Sequence, residues 1–266
     1  MGAGLPFDLP DLVKEFQDVA LIPILSEERG VRAVLKRWMR KGVLPDAIVV
    51  EHPRYAGGHL GASTIERLAD QRFDFNRVLD AIRDVFKQLE IAVDSIPLIP
   101  AGGINSFEKL KEVFSFGASG AQLGTPFAVT REGDAHLNFK KVLAGAGMKD
   151  IVTFMSTAGL PARAVLTPWL KRYLGAEDKL REGASPERGV CARNLECLSH
   201  CGFKDGNPQV GQFCIERQLA AAQRGDVNRG LFFRGSEALP FGDEIRSVRE
   251  LLEYLLTGAQ PQPAAC

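Results

Sequence analysis

A chain of 266 residues with 33 basic and 33 acidic side chains has no net charge, so no global field favours nucleic acid, an anionic membrane or an acidic partner. Its 45% hydrophobic and 25% charged content is that of an ordinary globular protein and excludes a disordered polymer. No apolar run reaches the roughly 20 residues that span a bilayer, and the opening "MGAGLPFDLPDLVKEF" lacks the order of a signal peptide.

The expected location is therefore cytoplasmic, and neither Pro6 nor Phe7 supplies the hydroxyl that a myristoylation signal starting at Met1-Gly2 requires. Three segments then repeat one pattern, a short apolar run followed by helical periodicity. "VALIPIL" (19–25) precedes "SEERGVRAVLKRWMRKG", where Val31, Val34, Leu35 and Trp38 share a face and Gly42 marks a stop. "DAIVV" (46–50) leads through the loop "RYAGGHLGAS" into "FNRVLDAIRDVFKQLE", whose apolar stripe from Phe75 to Leu89 predicts a helix. "SIPLIP" (95–100) precedes "AGGINSFEKLKEVFSFG", with Asn105 and Glu108 at capping-box spacing and Gly117 at the end. A fourth run, "SGAQLG" (119–124), follows directly.

Continuously apolar strands alternating with amphipathic helices predict an α/β fold with a parallel sheet. Ligands of such sheets gather at the carboxyl ends of the strands, where "YAGGH", "AGGI" and "LGTPF" fall. We therefore assign residues 1–130 to strand–helix repeats. Residues 131–258 read as a helical cap, with helices at "HLNFKKVLAGAG", "FCIERQLAAAQRG" and "SVRELLEYLLTG" around a Gly- and Pro-bearing stretch, and 259–266 as a disordered tail.

The chemistry-bearing residues cluster at those strand ends. "AGGI" (Gly102, Gly103) before a capped helix offers free N–H groups to a phosphate, and "GASGAQLGT" adds a second glycine turn with the Thr125 hydroxyl. Either turn alone is a weak signal, since glycine turns usually only close a corner between strand and helix; two in succession point to a phosphate-bearing cofactor. His59 is the candidate general base, since imidazole titrates near neutral pH and its glycine-walled loop admits a close ligand. The plain alternative is a surface or satisfied core histidine. His52, seven residues earlier, is either a partner of the site or an exposed side chain. Cys191, Cys197, Cys201 and Cys214, with His200 nearby, lack the paired C-x2-C spacing of zinc and iron–sulfur sites, so they read as reduced thiols and no metal is assigned.

"AGLPFDLPDLV", "PDAIVVEHPRYAGGHLGA", "IPLIPAGGI", "GASGAQLGTPFAVT" and "GLPARAV", in this order, resemble the nitronate monooxygenase (2-nitropropane dioxygenase) family, as do "CIERQLAAAQRGDVNRGLFFRGSEA" and "SVRELLEYL". The resemblance implies an FMN-bearing (β/α)8 TIM barrel that oxidises alkyl nitronates with molecular oxygen, a flavoprotein with small-molecule substrates. It matches His59 to the catalytic base, Gly57 to a flavin-loop contact, Gly102 and Gly103 to the phosphate turn, and Gln122, Leu123, Gly124 and Thr125 to a further flavin contact. An enoyl-thioester reductase on the same scaffold is the alternative enzyme. Two departures stand out. "EHPRY" places His52 where the family has Gln or Glu with Gly, with Glu51 one residue further back. The strand–helix repeats also correspond only to the C-terminal half of a barrel. Such a half has open sheet edges. That pattern fits a reading frame started late, closure by a second copy or another polypeptide, or a non-catalytic remnant.

Overall fold

The structure, a computed structural model, describes residues 4–16, 18–182 and 213–260. A single helical turn, α1 (Leu9–Leu12), leads to strand β1 (Ile24–Leu25), helix α2 (Glu28–Met39) and strand β2 (Ile48–Glu51). A two-residue strand, β3 (Gly58–His59), precedes helix α3 (Phe75–Gln88), strand β4 (Leu98–Ala101), helix α4 (Phe107–Ser115) and the single turn α5 (Thr125–Ala128). The strands β1, β2 and β4 lie parallel in that order, and Ala101 bridges to Gln122, so the four apolar runs line up in one parallel array. The α/β reading holds.

Burial explains this half. Val31, Val34, Leu35 and Trp38 of α2 and Val78, Leu79, Ile82, Val85 and Phe86 of α3 form one core with Ile48, Val50 and Leu98 of the sheet. Five such side chains on α3 contribute on the order of 10 kcal/mol of transfer free energy before entropy is counted. The α2 stop is where the sequence places it, with Gly42 at φ +71°. The cap of α4 is not. Ser106, and not Asn105, accepts from the Lys109 N–H (3.2 Å), while the Asn105 amide donates to the Ala238 carbonyl (2.5 Å).

After helix α6 (Leu137–Gly145), the expectation of a helical cap needs correcting. Strands β5 (Ile151–Met155) and β6 (Pro161–Val165) form an antiparallel hairpin, and β6 also pairs with β3, so the second sheet runs β3-β6-β5. Phe233 bridges to Ala164 and extends it. The hairpin closes where Ser156 N–H reaches the Leu160 carbonyl (3.0 Å) and Gly159 takes φ +73°. "PARAV" is buried throughout and its alternation is written in alanine, so it lacks the two-residue contrast that announces a half-exposed strand. Helix α7 (Pro168–Glu182) starts on a proline suited to a first turn; α8 (Ile215–Gln223) and α9 (Val248–Thr257) complete the described chain. Cys191, Cys197, Cys201 and His200 lie outside the described residues; Cys214 is a half-buried free thiol.

Candidate active site

The loop after β2 is built on His52. Its carbonyl accepts from the N–H groups of Tyr55 and Ala56 (both 3.1 Å), and its Nδ1 accepts from Arg54 N–H (3.3 Å). His52 is buried between Tyr55 and Phe75, with Nε2 3.5 Å from an Asp74 carboxylate oxygen; the reading of it as an exposed side chain is overturned. Burial, the largest influence, holds its pKa below the ordinary imidazole value. The tight turn lets Gly57 lie against the backbone of Arg234 and Gly235: a Cβ at Gly57 would sit 2.5 Å from Gly235 N. In the next turn Gly103 takes φ +76°, and a Cβ there would meet Tyr55 Cβ at 2.8 Å. The glycines are there because two strand-end turns and a third segment pack backbone to backbone.

These turns surround a cavity of about 350 Å³ at the carboxyl ends of β2 and β4. Gly57, Gly102, Gly103, Gln122, Leu123, Gly124 and Thr125 all line it, together with Glu51, Tyr55 and Arg234. A Cβ at Gly124 would meet nothing within 4 Å, and the N–H groups of Gly103, Ile104, Leu123 and Gly124 donate to no acceptor among the described residues. The Thr125 hydroxyl accepts from Gly235 N–H (3.2 Å), which leaves its own proton free to donate. Free amides at two strand-end turns, with open space at Gly124, suit the phosphate and polar edge of a flavin.

His59 is not in that wall. It lines a neighbouring cavity of about 540 Å³ with Ser26, Leu60 and Leu160. Glu51 is common to both walls, and Phe233, which faces the first cavity, packs edge-on against His59 with ring centroids 5.6 Å apart. The buried His59 Nε2 has no hydrogen-bond partner among the described residues, and burial pushes the imidazole pKa down, so the ring is neutral at pH 7. Burial raises the Glu51 carboxyl to about 7, against the lowering pull of Arg163. Arg163 is itself buried on β6, donating to the carbonyls of Pro53 (3.1 Å) and Ala56. The sequence reading missed Arg163 and Arg234. Their signal was an arginine set inside a short apolar run, as in "PARAV" and "LFFRG", where a cation enters a core only with acceptors waiting for it.

The nitronate monooxygenase family model matches residues 1–258. The chain belongs to the nitronate monooxygenase family. A probable nitronate monooxygenase of Bacillus subtilis (strain 168) is 27% identical over 167 residues, covering 62% of this chain and 44% of that protein. The chain thus spans less than half the length of this curated relative. Among solved structures, FabK from Thermotoga maritima superposes with a TM-score of 0.64 at 24% identity, covering 96% of this chain and 65% of that one. Nitroalkane oxidase from Streptomyces ansochromogenes gives a TM-score of 0.57 at 21% identity, covering 91% and 58%. At these identities the likeness is one of fold. For a member of the nitronate monooxygenase family, the arrangement offers backbone donors in one cavity, a neutral imidazole in the next, and a protonatable carboxyl lining both.

Proposed function

We propose that the chain is an FMN-dependent oxidoreductase that oxidises alkyl nitronates or nitroalkanes, with the flavin in the first cavity and His59 as base. The observation that carries this reading is the convergence of the seven glycine-turn residues on one cavity, where the N–H groups of Gly103, Ile104, Leu123 and Gly124 have no acceptor among the described residues. Gly102, Gly103, Gly124 and Thr125 would hold the phosphate, and Gly57, Gln122 and Leu123 the flavin edge. When bound, FMN supplies the redox chemistry that couples oxidation of the substrate to molecular oxygen.

The residues of the chain supply position and proton transfer. A nitroalkane placed against Glu51 and Phe233 loses its α-proton to the free Nε2 of His59, which is neutral and desolvated and so able to accept it. The carbanion left behind is the nitronate. A nitronate offered directly needs no base, so His59 matters most for the neutral substrate.

The test is direct. Purified protein supplied with FMN should be yellow and consume oxygen with nitroalkane. His59→Asn should keep the colour and lose turnover of the neutral nitroalkane by about 10²–10⁴-fold, with a smaller loss on preformed nitronate. A chain that takes up no flavin rejects the reading. Oxidation of NAD(P)H with a crotonyl thioester, and no turnover of nitronate, would move the assignment to an enoyl-thioester reductase.

A further inference from the structure

Arg234 is 3% exposed, on the segment that follows Phe233, and lines the first cavity beside the second glycine turn. Its Nε donates to the Leu143 carbonyl (2.8 Å) and its Nη1 to the Gly235 carbonyl (2.9 Å); Nη2 has no acceptor among the described residues. Among the described residues no carboxylate pairs with it there. The two acids of the cavity wall are engaged elsewhere: Glu237 holds Lys109 at 2.5 Å, and Glu51 interacts with Arg163. A guanidinium this deeply buried without a counter-anion is expensive, and burial is the cause that weakens its hold on its proton. The next residue ties this side chain to the phosphate turn, because Gly235 N–H donates to the Thr125 hydroxyl oxygen (3.2 Å).

We infer that Arg234 is the counter-charge for a phosphomonoester dianion bound at the Gly124–Thr125 turn, and that it makes the cavity select FMN over riboflavin. This rests on the flavin reading above. A guanidinium fixed by two carbonyls presents its remaining N–H groups with little left to lose in entropy, the condition under which a charge-assisted bond to phosphate is strong. Backbone amides alone would accept the same group more weakly, because they bring partial charges and no full one.

The experiment measures the Kd of FMN and of riboflavin separately, by quenching of flavin fluorescence, for the wild type, Arg234→Gln and Arg234→Lys, with circular dichroism to confirm the fold. The wild type should prefer FMN, and inorganic phosphate should weaken binding of FMN more than of riboflavin. Arg234→Gln should weaken FMN by about 10- to 100-fold and leave riboflavin within about twofold. Arg234→Lys, which keeps the charge without the fork, should fall between and serves if the Gln variant does not fold. Equal losses for both flavins in the variants overturn the assignment and make Arg234 a structural clamp, while the flavin reading stands. A wild type that binds FMN and riboflavin equally overturns it too. A wild type that binds neither flavin overturns the flavin reading itself.

Discussion

The two sheets contribute different kinds of group to two adjoining cavities. The parallel array delivers backbone: turns at Gly102–Gly103 and Gln122–Thr125 that line the first cavity, with the N–H groups of Gly103, Leu123 and Gly124 unpaired among the described residues. The antiparallel sheet and the segment after it deliver side chains: His59 on β3, Arg163 on β6, and Arg234 just beyond Phe233. The seam between them is closed by polar contacts, among them Ser236 N–H to the Tyr55 carbonyl (3.1 Å) and Asn105 to the Ala238 carbonyl (2.5 Å). A repeating parallel sheet can offer generic anion recognition through its turns, whereas these three ionisable side chains come from elements that do not repeat.

Glu51 sits where the two contributions meet, so it gives the largest lever on the comparison. Its carboxyl titrates near 7 in the folded chain, against 4.5 as the ordinary value, because burial disfavours the charge. A raised folded value means that the folded state binds the proton more tightly, so the group costs nothing below pH 4.5. Its ionisation then erodes stability as pH rises toward 7. Above that point the full cost is about 3 kcal/mol. Glu51→Gln should remove this slope. Urea denaturation at pH 5 and pH 8 should find the variant gaining on the wild type by up to about 3 kcal/mol at the higher pH; an unchanged gap at both values would mean the carboxyl is solvated.

The next effect sets one glycine against another. Gly57→Ala pushes a methyl into the Arg234–Gly235 backbone, which cannot rotate away, and should cost about 1–3 kcal/mol as the seam is forced apart. Gly124→Ala adds the same methyl where nothing lies within 4 Å, so stability should stay within about 0.5 kcal/mol while FMN binding weakens. Thermal unfolding and FMN titration of both variants check the pair. If Gly57→Ala unfolds like the wild type, the seam is not held by backbone contact there.

This contrast also explains what the sequence made legible. The helical stripes of α2 and α3 and the apolar runs of the parallel array announce themselves because each element is decided by its own periodicity. The glycine turns are legible for the same local reason. The hairpin is not, since Pro161–Val165 is buried on both faces and carries no alternation of character. The placement of His59 in a cavity separate from the glycine turns also escapes the sequence. It depends on the register of His59 opposite Ala162, a pairing between residues about a hundred positions apart. Arg163 and Arg234 need the carbonyls they bind, Pro53, Ala56 and Leu143, before their burial makes sense.

The smallest expected effect lies at the outer rim of the seam. Lys109 donates to Glu237 (2.5 Å) and to the Gly103 carbonyl (3.1 Å), with the two charged side chains 36% and 29% exposed. Water competes for both charges at that exposure, so the pair should be worth less than about 1 kcal/mol. Lys109→Met should therefore lower the Tm by no more than about 4 °C, and raising the salt should shrink the difference. Its consequence for the site should be out of proportion to that. Glu237 would be freed from its partner in the wall that also holds Arg234, and on the proposed flavin reading an unpaired carboxylate there would compete with the phosphate for the guanidinium. FMN affinity should fall while riboflavin affinity holds, and the companion variant Glu237→Gln should restore the preference. If Lys109→Met instead costs as much as Gly57→Ala, the ion pair and not the backbone contact closes the two halves of the site.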